Sequence, residues 1–286
     1  ATPPISETER VLQSGGNLVC LHEKAIRATV ETRMSVIDMK DRTQFKRHPI
    51  FSNTLINEVS EALQQKKQSL LFLNRRGTSK LVMCNSDSCE WVAECASCEL
   101  ALTYHHDENA LVCHTCGRKT SMPTGCPVCS STLKLKSLGS KAIVEEVAHL
   151  FPSARLARYD SDTSFEESFN ESYEAIVNGS VDILIGTQQL IKGLDLPKLA
   201  VIGLVNSDLS LRFPDYTSDE RTFQLITQAI GRVGRGHTYG SVIVQTYQSH
   251  NPVLRDAIAG DWHSFREKEL RDRHEHSFPP YSFIGK

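Results

Sequence analysis

Apolar positions along this chain follow two alternating periods. From Ile50 onward, Phe51, Leu55, Ile56, Val59 and Leu63 recur at helical spacing and stop at the solvated run Gln64-Gln65-Lys66-Lys67-Gln68, which predicts an amphipathic helix. Ser69-Leu70-Leu71-Phe72-Leu73-Asn74 follows with near-continuous hydrophobicity, as expected of a parallel strand covered on both faces. The alternation resumes with Gly139-Ser140 opening a helix through Val144, Val147 and Leu150, with Ser140 as its N-cap. Then come a strand over Arg155–Tyr159, a helix from Phe165 to the Asn178-Gly179 stop, and buried strands over Val181–Ile185 and Leu199–Val205. An apolar helical run, Phe223 to Ile230, precedes a last strand over Ser241–Thr246 and a helix from Val253 to Ile258. Strands alternating with helices predict an α/β fold with a mainly parallel sheet. Residues 1–42 read as two short strands, Leu18–Leu21 and Ser35–Met39, with a crossing linker, and the tail from Asp261 reads as a highly charged helix ending at Phe278-Pro279-Pro280-Tyr281.

The stretch between residues 83 and 136 breaks this rhythm. Of nine cysteines, eight fall there in four pairs: Cys84-x4-Cys89, Cys95-x2-Cys98, Cys113-x2-Cys116 and Cys126-x2-Cys129. A two-residue spacer turns both thiolates of a knuckle toward one ion about 2.3 Å away, and two knuckles complete a tetrahedron. Leu100–Tyr104 and Ala110–Val112 around Asp107-Glu108-Asn109 read as a hairpin. That hairpin brings the second and third pairs together and leaves the first and fourth to meet each other. The reading is two closed structural zinc sites: Cys84, Cys89, Cys126 and Cys129 in one, Cys95, Cys98, Cys113 and Cys116 in the other. Disulfides and thiol redox chemistry compete with it, but such pairs in a cytosolic protein point to metal. His105, His106 and His114 are further potential ligands; with eight thiolates present they read as a solvated hairpin face. Cys20 reads as a small buried apolar residue. The segment is small and polar, so metal can supply folding energy that its core cannot.

Composition adds little. A chain of 286 residues with 40% hydrophobic and 23% charged residues is an ordinary globular protein, and its net charge of −2 gives no global pull toward nucleic acid. No apolar run is long enough to cross a membrane, and the first residues have no signal character, so a cytoplasmic location is expected.

The candidate motor chemistry lies in Gln228-Ala229-Ile230-Gly231-Arg232-Val233-Gly234-Arg235-Gly236. Two readings stand. One is a helix ending at Gly234 or Gly236, with Arg232 and Arg235 stabilising its last carbonyls. The other is a pair of planar guanidiniums presented to phosphate oxygens. The pattern Gln-x-x-Gly-Arg-x-Gly-Arg resembles the last motif of superfamily 2 helicases. Leu70–Gly77 resembles motif IV of that family, and Ile185–Gln188 with Lys192-Gly193-Leu194-Asp195-Leu196-Pro197 resembles motif V. Phe213-Pro214-Asp215-Tyr216, the run from Glu220 to Leu225 and the cysteine-rich insert resemble the PriA-type primosomal replication-restart helicases, and the resemblance extends over nearly the whole chain.

That resemblance implies a RecA-like second motor lobe interrupted by a two-zinc insert. Arg232 and Arg235 would be arginine fingers assisted by Gln228, with Asp195 and Gly193 near nucleotide. Arg75, Arg76, Gly186, Thr187, Gln188 and Lys192 would contact DNA; Arg75 and Arg76 read equally as a solvated strand end, and Thr187 as an ordinary helix cap. Residues 1–42 would be linker and remnant of the first lobe, 43–82 and 137–258 the two parts of the second lobe, 83–136 the zinc insert, and 259–286 a tail leading to an absent C-terminal domain. Ala1-Thr2-Pro3 resembles the remainder of a Ser-Ala-Thr motif, as in an excised piece. The intact protein is expected to be a monomeric ATP- and magnesium-dependent 3′-to-5′ DNA helicase acting on branched and single-stranded DNA. Primosome and replication-restart proteins and single-stranded-DNA-binding protein would be its partners. No Gly-x-x-x-x-Gly-Lys-Ser/Thr cradle occurs in the chain, so this piece alone is expected to be inert. Two departures stand out: the four-residue spacer Asn85–Ser88, and Asn206-Ser207-Asp208, where the family has a more acidic triplet. The alternatives are a zinc-stabilised DNA-binding or protein-docking module without a motor role, and a zinc metalloenzyme.

Overall fold

The computed structural model describes residues 2–17, 19, 32–73, 80–86, 88–89, 91–97, 101–105, 108–113, 116–137, 140–159, 176–187, 196–205, 215–233 and 239–283. In chain order the elements are α1 (Ile5–Gln13), β1 (Thr32–Asp38), α2 (Asn53–Gln64), β2 (Gln68–Phe72), β3 (Lys80–Cys84), β4 (Thr103–His105), β5 (Ala110–Val112), β6 (Lys119–Ser121) and β7 (Leu133–Ser137). They continue with α3 (Ser140–Leu150), β8 (Leu156–Tyr159), β9 (Ile183–Gly186), β10 (Leu199–Leu204), α4 (Ser218–Ile230), β11 (Gly240–Thr246), α5 (Pro252–Ala259) and α6 (Trp262–Glu275).

Two sheets result. The first has six strands in the order β1-β11-β10-β2-β9-β8, all parallel. Its four inner strands, β11, β10, β2 and β9, are buried on both faces because both faces are covered. Leu70, Phe72, Leu184, Ile202, Leu204, Val242 and Val244 point to one layer with Ile5, Phe223, Ile226, Leu254 and Phe265 of α1, α4, α5 and α6. Leu71, Ile183, Ile185, Val201 and Ile243 point to the other, against Leu55, Ile56 and Val59 of α2 and Ile143 and Val147 of α3. The period-two alternation within each strand sorts these side chains into two cores. Gly203 in β10 lets α2 approach the sheet: a Cβ there would lie 2.7 Å from Leu55 Cδ1 and 3.0 Å from Leu71 Cδ2.

The second sheet is antiparallel, β6-β5-β4-β3-β7. It is inserted between β2 and α3. The expected hairpin is β4–β5, with His105 opposite Ala110. Pairing of β3 with β7 over five residue pairs, from Lys80↔Ser137 to Cys84↔Leu133, brings the two ends of the insert together.

The structure adds to these expectations and corrects two of them. Residues 5–13 form a helix, its Ile5 completely buried, because Ile5 and the polar first turn pack on α4 and α6 rather than on a strand. The second patch forms the expected strand as β1, paired along its length with β11 at an edge of the six-stranded sheet. Of the Leu18–Leu21 patch only Val19 is described, and it is exposed. Ser140 lies within α3 instead of preceding it. Helix α4 ends at Ile230 with Gly231 as its C-cap, before the glycines expected to stop it. The helix expected over 165–178 lies outside the described residues, except for its last positions, where Ile176 and Val177 are helical.

The charged tail is not wholly solvated. In α6, Phe265 stacks on Phe223 with ring centroids 4.3 Å apart. Two turns further on, Arg273 is 1% exposed among Glu220, Glu269 and Ser6.

Candidate metal centres and lobe motifs

The end of β3 places Cys84, and the loop after β6 places Cys126 and Cys129. Together with Cys89 their sulfurs lie within 4.8 Å of one another. Cys84 Sγ is 3.4 Å from Cys129 Sγ, and Cys89 Sγ is 3.6 Å from Cys126 Sγ. Four thiolates at 2.3 Å from a zinc ion form a tetrahedron with edges of about 3.8 Å, so the donor set fits that metal. Cys95, Cys113 and Cys116 form a second cluster, with Cys95 and Cys116 sulfurs 3.6 Å apart. Cys98, expected beside them, lies outside the described residues, as do Cys20, His106 and His114. Among the described residues neither cluster includes a histidine.

The backbone around the sulfurs explains why they converge. In the third pair the Gly117 amide donates to the Cys113 carbonyl (2.9 Å), with Gly117 at φ 71°. In the fourth, the Ser130 amide donates to the Cys126 carbonyl (2.8 Å) and Ser130 is at φ 60°. Each knuckle thus turns back through a left-handed residue directly after its second cysteine. Glycine adopts that conformation freely and serine does so at a cost.

Thiol protonation is uneven in the outer cluster. Cys129 falls to about 6, held down by the Ser131 hydroxyl and amide and by Cys84. Cys89 is drawn down by the Trp91 amide, but desolvation and the three other cysteines carry it up to about 12. Burial raises Cys84. One thiolate forms readily while Cys84 and Cys89 hold their protons, and a divalent cation that displaces those protons relieves the conflict. With four thiolates filling the coordination sphere, no position is open to substrate, and the chemistry is structural.

The described motif residues of the lobe fall in two places. Gly186 ends β9, and its carbonyl accepts from the amide of Leu73, the residue after β2 (2.8 Å). The Thr187 amide donates to the Tyr159 carbonyl of β8 (3.3 Å). That amide, one of those expected to serve a phosphate, is used inside the sheet, where Tyr159 is the last residue of β8 in register with Gly186. Gln228 is half-buried in the last turn of α4. Arg232 follows the C-cap, its amide donating to the Ala229 carbonyl (3.1 Å). Arg75, Arg76, Gln188, Lys192, Gly193, Asp195, the Asn206–Asp208 triplet and Arg235 lie outside the described residues.

A sequence model of the PriA DNA helicase Cys-rich region domain matches residues 95–120. The replication restart protein PriA of Bacillus subtilis is 35% identical over 287 residues, covering 100% of this chain and 35% of that protein. Its counterpart in Haemophilus influenzae is 35% identical over 285 residues, covering 99% of this chain and 38% of that protein. Along essentially its whole length the chain matches proteins of the PriA family. It spans little more than a third of the length of those PriA proteins. Among solved structures, RecG bound to a three-way DNA junction aligns at a TM-score of 0.47 and 13% identity, over 92% of this chain and 25% of that one. Against the PriA pattern, the four-residue spacer of the first pair is accommodated by a turn in which the Cys89 amide donates to the Ser86 carbonyl (3.1 Å). The Ser86 amide donates to Cys84 Sγ (3.3 Å). Two extra residues widen the turn, and strand pairing holds Cys84 in place. No helix among the described residues is long and apolar enough to cross a membrane.

Proposed function

We propose that this chain is the second motor lobe and zinc insert of an ATP-dependent DNA helicase that engages stalled or branched replication forks and assists primosome assembly. The observation that carries this reading is the combination, in one chain matched along its length by proteins named for replication restart, of a parallel lobe and a thiolate-rich insert. The lobe's helix α4 carries Gln228 in its last turn, and Arg232 follows its C-cap.

In this reading a nucleotide bound by a first lobe meets Arg232 and Arg235, whose charge stabilises the γ-phosphate during hydrolysis, with Gln228 assisting. Asp195 and Gly193 lie near the nucleotide, and magnesium is supplied with it. Single-stranded DNA passes Arg75, Arg76, Gly186, Thr187, Gln188 and Lys192. At Thr187 the hydroxyl carries the contact, since the amide serves the sheet. Closure and release of two lobes around nucleotide step the motor along one strand. The zinc insert, stiffened at both ends, projects from the lobe to separate strands and dock partner proteins.

In the intact protein, Arg235→Ala should abolish DNA-stimulated ATP hydrolysis and leave DNA affinity largely unchanged. Survival of hydrolysis would remove the motor reading and leave a zinc-stabilised binding module. Anisotropy titration of this chain with forked, single-stranded and duplex DNA at about 0.15 M salt, where weak ionic binding is screened, tests whether lobe and insert read fork structure themselves.

A further inference from the structure

We infer that Arg273 is a positioning residue for helix α4: one buried guanidinium sets the orientation of the helix whose far end carries Gln228 and Arg232. The inference rests on the motor reading for its functional consequence and on the structure for its mechanism.

The guanidinium touches five different groups. Its Nη2 donates to Glu220 Oε2 in the first turn of α4 (2.7 Å), and Nε and Nη2 donate to Glu269 Oε1 one turn back on α6 (2.9 and 2.7 Å). Nη1 donates to Ser6 Oγ of α1 (3.2 Å) and to the Pro279 carbonyl (3.5 Å). The plane lies over the Tyr216 ring, 5.1 Å from its centroid, just before α4. Glu220 in turn accepts the Ile5 amide on Oε1 (3.0 Å) and is bonded by Gln224 of its own helix (3.1 Å). Arg266 pairs with Glu9, a second tie between α6 and α1. Arg273, Glu220 and Glu269 are 1%, 5% and 7% exposed.

Adhesion alone does not call for this arrangement. The helix already packs on the sheet and on α6 through Phe223, Leu225, Ile226 and Ala229. Apolar contacts are non-directional and let a helix roll or tilt, whereas a planar fork with fixed donors specifies orientation. A buried ion cluster is seldom more stabilising than an apolar replacement of the same volume, so its best physical role is geometric. Helix α4 is continuous from Ser218 to Ile230. Twelve residues of rise separate Glu220 from Arg232, roughly 18 Å, so a tilt of about 10° at the node moves the far end by about 3 Å. Misplacement of about 1 Å is enough to cost on the order of a hundredfold in rate where groups must meet a reacting centre.

Hydrogen exchange on this chain, zinc-loaded, reads the coupling without reference to activity. The variants are Arg273→Lys, which keeps the charge and loses the fork, and Arg273→Met/Glu220→Gln/Glu269→Gln, which leaves neither of its two buried carboxylate partners stranded. The amides of Gly231 and Arg232, bonded to the Thr227 and Ala229 carbonyls, should exchange about tenfold faster. Amides of α2 and α3, across the sheet, should be unchanged. Acceleration confined to residues 5–7 and 269–276 would overturn the inference and leave Arg273 a local structural group. In the intact protein, Arg273→Lys should lower kcat for ATP hydrolysis about tenfold with KM and DNA affinity within about twofold, the pattern of lost transition-state placement. If Arg235→Ala leaves hydrolysis intact, the motor reading falls, while the exchange result still decides whether Arg273 orients α4.

Discussion

Loss of one outer zinc ligand should unfold the insert and spare the lobe. Cys126 is buried, its sulfur 3.6 Å from that of Cys89, and it belongs to the cluster that ties the loop at 126–129 to the end of β3. A structural zinc contributes on the order of 10–16 kcal/mol of folding free energy at neutral pH, against about 5–15 kcal/mol of net stability for a whole domain. The insert has little else to hold it. Its buried cluster is Val82, Ala93, Leu102 and Leu111 with Cys95 and Cys113, so two of its six members are themselves in the metal clusters. The two cores of the parallel lobe contain no cysteine among their buried residues. Both tryptophans are conveniently placed: Trp91 packs on the insert's core, and Trp262 packs on Phe223 and Phe265 in the lobe. In single-tryptophan backgrounds, Trp262→Phe and Trp91→Phe, Cys126→Ala should lower bound zinc from about two ions per chain to about one. Trp91 emission should shift to the red in the absence of denaturant, while the urea transition seen by Trp262 moves by less than about 0.5 kcal/mol, as for independent sites. Strong chelation should reproduce the Trp91 change in the otherwise unaltered chain. A Trp262 transition that falls together with Trp91 would refute the independence of the two sheets, and an unmoved Trp91 would refute zinc as the source of the insert's stability.

Three smaller perturbations follow from single positions. Gly203→Ala should cost about 1–3 kcal/mol in urea unfolding, since its Cβ must displace Leu55 or Leu71 from a packed layer; an unchanged midpoint would show that α2 shifts freely. Ser130→Gly should stabilise the zinc-loaded insert by about 0.5–1 kcal/mol by relieving its left-handed backbone, read by the Trp91 transition. Burial raises the Glu269 pKa although Arg273 opposes the rise. Its stabilising contribution is therefore complete below the unfolded carboxylate value and is lost as pH climbs through the raised one. Glu269→Gln does not titrate, so its stability relative to the unaltered chain should improve with rising pH across that window, with a slope no steeper than about 1.4 kcal/mol per pH unit for one proton. An improvement on acidification instead would reverse the sign of the burial argument.

Much of this architecture is a local property of the chain. Leu70–Leu73, Ile183–Ile185 and Val242–Val244 are apolar without interruption because each is covered on both faces, and that need shows in composition before any partner is known. Cysteine spacing works the same way: a knuckle is a few residues long, and its turn is set by the residues inside it, so the clustering of eight thiols was visible directly. What the linear pattern could not carry was pairing between distant segments. Thr32–Asp38 is a middling mixture of apolar and polar residues that becomes an edge strand only because β11, more than 200 residues on, offers it a parallel ladder. Ile5 is one isoleucine in a polar stretch until α4 and α6 bury it. The run from Arg266 to Arg273 reads as a solvated face because charge predicts exposure on average. Burial of Arg273 depends on Glu220 and Ser6, which are 53 and 267 residues away. Periodicity records which residues leave water, whereas the neutralisation of a buried charge depends on partners that only the tertiary fold assembles, and so the orientation of α4 was decided there.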